Sequence, residues 1–413
     1  MSVMGNVTTL PAGLVPSLDL DFINQRYRVN GQEMSFADVI TFTRASAAAY
    51  YDSTGKMQMA SANAPRLGFD PASGESVGLV LEDQRTNTFL HSANLTLMNL
   101  NAGATWDADP VMGPDGELTA RVLNMAGPAA SGVYRTNAAN STSQQAWSVH
   151  AKPISGNGIV RLQLGGAAYS TTRSVDFDLI NGKVVASSGA TGFIFKHRFG
   201  GWYRIGLTAP VDNAASPVHN VTIYAGDTTA KSFAVAGGQM ETGLDVSSTI
   251  PTGSAAVTRA GDVGLMEAIS SWFRAGAGAV YVDADSRTRS KGGTFGVSLG
   301  ADSKNYIGLA YTAVAGPSNM VYARSGDAGP TIGPAGAAAH IRQIMSWDAQ
   351  TVSTALNGGE VFSAAAPAGW PINATSLRFG SSHFSSAIAP MHLRRLQFYS
   401  QGLTAATLKE LTR

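Results

Sequence analysis

Apolar residues in this chain recur at alternate positions in short runs, and nearly every run is closed by Gly, Asn, Asp or Pro. "LDLDF" puts Leu18, Leu20 and Phe22 on one face. "RSVDFDLINGKVVAS" (173–187) does the same with Val175, Phe177 and Leu179 before turning at Asn181-Gly182. Side chains alternate with period two only in strands, and long 3.6-residue periodicity is scarce, so stacked antiparallel sheets are the fold open to the chain. Composition agrees, with 46 Gly, 14% charged residues and 44% hydrophobic residues. That is too apolar for a disordered chain. At 413 residues the chain exceeds one ordinary core, so several domains are expected.

The fold class read from this pattern is all-β: an extended N-terminal segment, two antiparallel β-sandwiches and a short C-terminal helix. Residues 1–88 hold few large apolar side chains for their length and read as an extended anchoring segment packed on the rest of the chain or on a partner. Hairpin turns are expected at Asn30-Gly31, at Thr54-Gly55 and across Pro71–Ser76. Residues 89–250 carry the clearest strand series, the first sandwich. Residues 251–265 read as a crossing linker, because Pro251 and Gly253 break the last strand and small residues follow. Residues 266–413 repeat the strand pattern and end in "LTAATLKELTR", a helix with Thr404 as N-cap and Leu408 and Leu411 on one face.

Two stretches share one polar punctuation: "VITFTRASAAAYYD" (39–52) and "IPTGSAAVTRAGDVGL" (250–265). Each runs from β-branched residues through Thr-Arg-Ala into small residues and then an Asp. Arg259 with Asp262, and Arg44 with Asp52, are candidates for fixing these crossings to a neighbouring surface by charge-assisted hydrogen bonds. The alternative is ordinary solvated charge in loops.

Catalytic equipment is sparse. With no Cys, disulfides, thiolate nucleophiles and Cys-based metal sites are excluded. The seven His are scattered without paired ligand spacing, and no P-loop or nucleophile elbow occurs; "GVSLG" around Ser298 reads as a strand. Glycoside hydrolysis needs two carboxylates about 5–9.5 Å apart, and residues two apart on a strand are separated by about 6.5–7 Å. Asp176/Asp178 and Asp283/Asp285 have that spacing, but alternation also explains them as solvent-face residues. No enzyme and no cofactor is the expectation. A bound Ca²⁺ has one candidate loop, "DADPVMGPDGE", with Asp107, Asp109, Asp115 and Glu117 as oxygen ligands. Sugar stacking asks only for exposed aromatics, and Trp106 and Trp370 lie in loop-like contexts, whereas Trp147, Trp202 and Trp347 lie in strand patterns that predict core. Lys+Arg (29) balances Asp+Glu (28) without a basic run, which argues against nucleic acid. No apolar run reaches the roughly 18 residues of a membrane helix, and the N-terminus lacks the basic and apolar regions of a secretory signal. Synthesis in a cytoplasm, with any exit by assembly or lysis, is the expected course.

Several strings together resemble a family. Phe42-Thr43-Arg44-Ala45-Ser46, Pro65-Arg66, Asp70-Pro71, Gly74-Glu75 and "GLVLEDQRTN" (78–87) form one signature. "GGWYRIGLT" (200–208), "GGQMETG" (237–243) and "STIPTGSAAVTRAGD" (248–262) form the second. Both resemble virion proteins of tailed bacteriophages and prophages: fibres, spikes, minor tail and head-decoration proteins. The resemblance implies a jelly roll similar to carbohydrate-binding modules for 89–250 and a laminin-G or concanavalin-A-like lectin sandwich for 266–413. It also implies a structural role on the virion with host-surface glycan adhesion, contacts with other virion proteins, and a homotrimer. Arg66 and Arg85 join Arg44, Arg259 and Asp262 as anchoring or assembly residues on the same ground. A polysaccharide depolymerase and a purely architectural head or tail protein are the rival readings.

Overall fold

The computed structural model describes residues 13–138, 143–213, 218–286, 294–312, 318–334, 338–370, 373–383 and 390–413. Among these, strands dominate, and all strand pairings are antiparallel.

The first sandwich is built from two six-stranded sheets. One runs Asn99–Asn101, Gly132–Ala138, Val218–Tyr224, Ile159–Gly165, Arg173–Asp178, Lys183–Ser188. The other runs Ala104–Val111, Ala120–Met125, Lys231–Thr242, Gln145–Ser155, Tyr203–Ala209, Thr191–Lys196. Numbered in chain order, the eight inner strands read 1-8-3-6 in one sheet and 2-7-4-5 in the other, which is jelly-roll winding. Alternation drives it: Val160, Leu162 and Leu164 of one strand point inward and are buried, while the residues between them are half-exposed. Across the gap they meet Trp147, Val149, Phe233 and Val235. Each such side chain contributes about 1.5–3 kcal/mol on leaving water.

The second sandwich departs from the sequence reading in what it includes. Its larger sheet runs Gln32–Met34, Arg26–Val29, Leu18–Asp21, Met391–Tyr399, Gly278–Ser286, His340–Trp347, Thr351–Leu356, Val361–Ala365, with Ser76–Leu81 also paired to Met391–Tyr399 and Leu67–Phe69 beyond it. Its smaller sheet holds Thr41–Thr43 beside Val263–Met266. Leu18 lies opposite Phe398, so the two ends of the described chain close one sheet. The segment read as an extended anchor is therefore, over its described residues, largely part of this sandwich. Leu18, Leu20, Phe22, Leu79 and Leu81 are fully buried in its core. They were few because they complete a core supplied mostly from elsewhere. The residues read as a linker are likewise structured: Val257–Arg259 pairs with Arg85–Asn87, and Val263–Met266 is a sheet strand.

Local expectations hold where chemistry is local. Asn30 and Gly31 both take left-handed φ (51° and 79°), as a tight hairpin requires. Thr404 accepts from the amide of Thr407 and caps Ala405–Leu411, and Leu408 and Leu411 are buried against Tyr281, Ile344 and Tyr399 of the larger sheet. Trp147, Trp202 and Trp347 are core, as predicted. No helix among the described residues is long and apolar enough to cross a membrane.

Candidate functional site at the junction of the two sandwiches

The two Thr-Arg-Ala stretches meet. Arg44 follows Thr41–Thr43, and Asp262 precedes Val263–Met266, the strand beside it; the Arg44 Nη1 donates to Asp262 Oδ1 at 3.0 Å across 218 positions of sequence. Asp262 Oδ2 accepts from Arg66 Nη2 and from the Glu82 amide, the latter at 2.8 Å. Arg66 Nη1 donates to Glu82 Oε2 at 2.6 Å, to the Ala49 carbonyl at 2.9 Å and to Ser248 Oγ at 3.0 Å. Arg259 closes the ring, with Nη2 on the Asp83 carbonyl at 2.7 Å and Nε at 3.7 Å from Glu82. The Ala260 amide donates to Ser46 Oγ at 2.9 Å, tying one repeat to the other.

Three guanidiniums and two carboxylates thus share a dry site: the side chains of Arg44, Arg66 and Asp262 are fully buried. Burial opposes ionisation of Glu82, yet Arg259, Arg66 and the Ser248 hydroxyl and amide hold it well below the usual carboxylate range. Burial pulls Arg44 down, against Asp262.

The lattice continues into the first sandwich. Its second sheet turns a polar face outward, and loop 245–252 satisfies that face. Ser247 donates twice to Glu241, the Ile250 amide donates to Gln239, and Arg204 donates to the Ser247 carbonyl and to Ser148. Ser248 donates to both Glu82 oxygens, at 2.8 and 2.6 Å. Arg85 grips Asp83 with Nε at 3.1 Å and the Thr242 carbonyl at 2.6 Å, and stands 3.4 Å from Asp245. All five residues expected to anchor the chain therefore lie in one neighbourhood. They bond within the chain, which leaves the buried guanidiniums of Arg44, Arg66 and Arg259 no surface to offer a partner. Asp52, named with Arg44, instead closes its own hairpin through Thr54, Lys56 and Gln58.

Beside this lattice the two sandwiches leave a cleft of about 360 Å³. Tyr50, Phe69, Phe193 and Phe195 wall it, with Arg85, Asp83, Asp245, Lys196 and Ser247 among its polar groups. Both chain halves contribute, since Pro390–His392 closes one side. Burial, joined by Glu241, Asp83 and Glu82, pushes the Asp245 carboxyl up to about 7 against the pull of Arg85. Burial also raises Asp83. Sequence reading missed these residues. Glu82 and Asp83 stood inside a quoted signature without a partner to mark them, and nothing in "GLDVSS" distinguishes Asp245.

The other candidates fare unequally. Trp370 is core, 8% exposed and edge-on to Trp347 at 6.3 Å, because its loop folds back over the second sandwich. Trp106 sits half-buried on an outer strand, packed against the first core. Asp115 turns in on Glu117 and Thr119, and Asp107 accepts from Asn124; among the described residues no three acidic or His side chains converge as a metal site. Asp176 is held by Arg161 Nε and Nη2, and Asp178 caps its own turn. Asp283 and Asp285 face outward among His340, Arg342 and Arg394.

No family model and no curated protein matches the chain. Among solved structures it is similar to the Ruminococcus gnavus IT-sialidase CBM40 bound to alpha2,3 sialyllactose, at 14% identity and a TM-score of 0.28, over 33% of this chain and 83% of that one. It is similar to Trypanosoma rangeli sialidase at 8% identity and a TM-score of 0.29, over 71% of this chain and 60% of that one. It is also similar to mouse laminin alpha1 domains LG4-5, at 12% identity and a TM-score of 0.19, over 75% and 96%. Likenesses this distant carry no argument about ligand or activity.

Proposed function

We propose that this chain is a non-catalytic glycan-binding protein whose ligand occupies the cleft between the sandwiches, and that it serves on the particle of a tailed bacteriophage or prophage. The cleft is the observation that supports binding. Its volume suits a small ligand, and it joins aromatic walls to a few fixed polar groups at a domain boundary, the usual place for such a site. Tyr50, Phe193 and Phe195 offer apolar faces to a sugar ring, while the Arg85–Asp83 pair and Asp245 offer donors and acceptors to its hydroxyls. Virion placement rests on the resemblance of the two Thr-Arg-Ala signatures. Leu18, Leu20, Phe22, Leu79 and Leu81 are buried within the chain, so three-fold assembly stands on that resemblance alone.

A glycan array of host-surface polysaccharides tests the reading, with wild type beside Phe195→Ala, which removes a wall, and Ala72→Trp, which fills the cleft from an exposed turn. Hits that both variants lose at unchanged melting temperature support it. No hits for the wild type leave the architectural role, and new reducing ends from incubated glycan establish a depolymerase instead.

A further inference from the structure

Between the Ala48–Ala60 hairpin and the first sandwich lie two imidazoles that nothing above uses. His150, on Gln145–Ser155, and His197, just past Thr191–Lys196, are both fully buried. Their rings meet edge to face at 5.4 Å. Tyr51 from the hairpin covers both: its ring stands edge-on to His197 at 4.7 Å, and its hydroxyl is 3.4 Å from His150 Nε2. Among the described residues neither nitrogen of His197, nor Nδ1 of His150, has a hydrogen-bond partner.

The surroundings suit neutral rings only. Burial holds both imidazoles below their ordinary range, Arg204, opposite His150 in the ladder, adds to this on both, and His197 adds to it on His150; among the described residues no carboxylate opposes them. Lys196 and Arg198 flank His197, and Lys152 is two residues beyond His150. Arg198 is spent on the Ser53 and Ser73 carbonyls. Asp52, next to Tyr51, is spent on its own turn. The strand Lys231–Thr242 brings only Ala236 and Gly237 to His150.

We propose that the His150–His197 pair is an acid-sensitive latch: protonating it parts the Ala48–Ala60 hairpin from the first sandwich and so opens the cleft that Tyr50 and Tyr51 line. Any effect on ligand rests on the glycan reading; the latch does not. A proton brings uncompensated charge into a buried contact with no anion among the described residues, and the cheapest relief is exposure. The hairpin is tied to the first sandwich by polar contacts, the Met57 amide on the Pro114 carbonyl at 3.0 Å and Arg198 on the Ser53 carbonyl at 3.4 Å beside the Tyr51 hydroxyl on His150, so it yields before either core does.

Hydrogen exchange on the full chain, corrected for intrinsic pH dependence, reads the latch. Between pH 7.5 and pH 5, protection of 48–60 falls by up to about thirty-fold per imidazole, while 159–165 stays protected. His197→Phe keeps the stack on Tyr51 and removes at least half of the pH response on a logarithmic scale, and His150→Gln serves as the second variant. Unchanged protection of 48–60 in the wild type, an undiminished response in both variants, or simultaneous loss at 159–165 overturns the latch. A working latch in a protein that binds no glycan overturns only the cleft's assigned ligand.

Discussion

Asp262→Asn is the sharpest perturbation of the junction. The substitution keeps shape and one acceptor but removes one of two carboxylates that neutralise Arg44, Arg66 and Arg259 in a site where Arg44, Arg66 and Asp262 are fully buried. Breaking a buried pair from one side leaves uncompensated charge and typically costs about 3–5 kcal/mol. For a melting unit of one sandwich, about 150–250 residues, each kcal/mol lowers the melting temperature by about 2–4 °C, so a drop of about 6–20 °C follows. Five of the six tryptophans are buried, so intrinsic fluorescence reports the transition. Arg44→Met, alone and combined with Asp262→Asn, completes a cycle, and a coupling of about 1 kcal/mol or more between the two is expected. A melting temperature within 2 °C of wild type, or additive effects, would refute the claim that the two signatures form one electrostatic unit.

Other outcomes follow from the same geometry. Asp245 ionises near 7 in the fold against 3.8 in the open chain, so the folded state holds its proton more tightly and stability falls as pH rises between those values. Asp245→Asn should therefore melt like wild type near pH 4 and above it at pH 8, by a few kcal/mol at most; equal melting at both pH values contradicts this. Gly264→Ala drives a Cβ into the Phe379 ring in the second core and should cost about 1–3 kcal/mol, measured by urea unfolding. Trp370→Ala should cost about 3–5 kcal/mol, with an unchanged melting curve restoring it as a surface residue.

What could be read from sequence was what is decided within a few residues. Asn30-Gly31, the Thr404 cap and the alternation of Val175 and Phe177 each carry their own cause, and all three stand in the structure. The pairing of Leu18–Asp21 with Met391–Tyr399 has no local cause. It depends on the rest of the larger sheet exposing an edge that those four residues match, so the segment before residue 89 reads as thin, packed on something its own sequence does not identify. The anchoring arginines are legible as types in a pattern, but which neighbouring surface they meet is not. Guanidinium forks in Gly- and Ala-rich crossings signal a nearby carboxylate, and sequence alone does not say that Asp262 is Arg44's. The cleft residues were illegible because Phe193, Asp245 and Met391 converge only after both sandwiches are complete.

Footprinting the best array ligand on the intact chain by hydrogen exchange most directly tests binding at the junction. Slowed exchange concentrated at 49–51, 193–196 and 245–249 is the predicted pattern. Protection on the outer face of either sandwich, or bound ligand with none of those segments slowed, contradicts it.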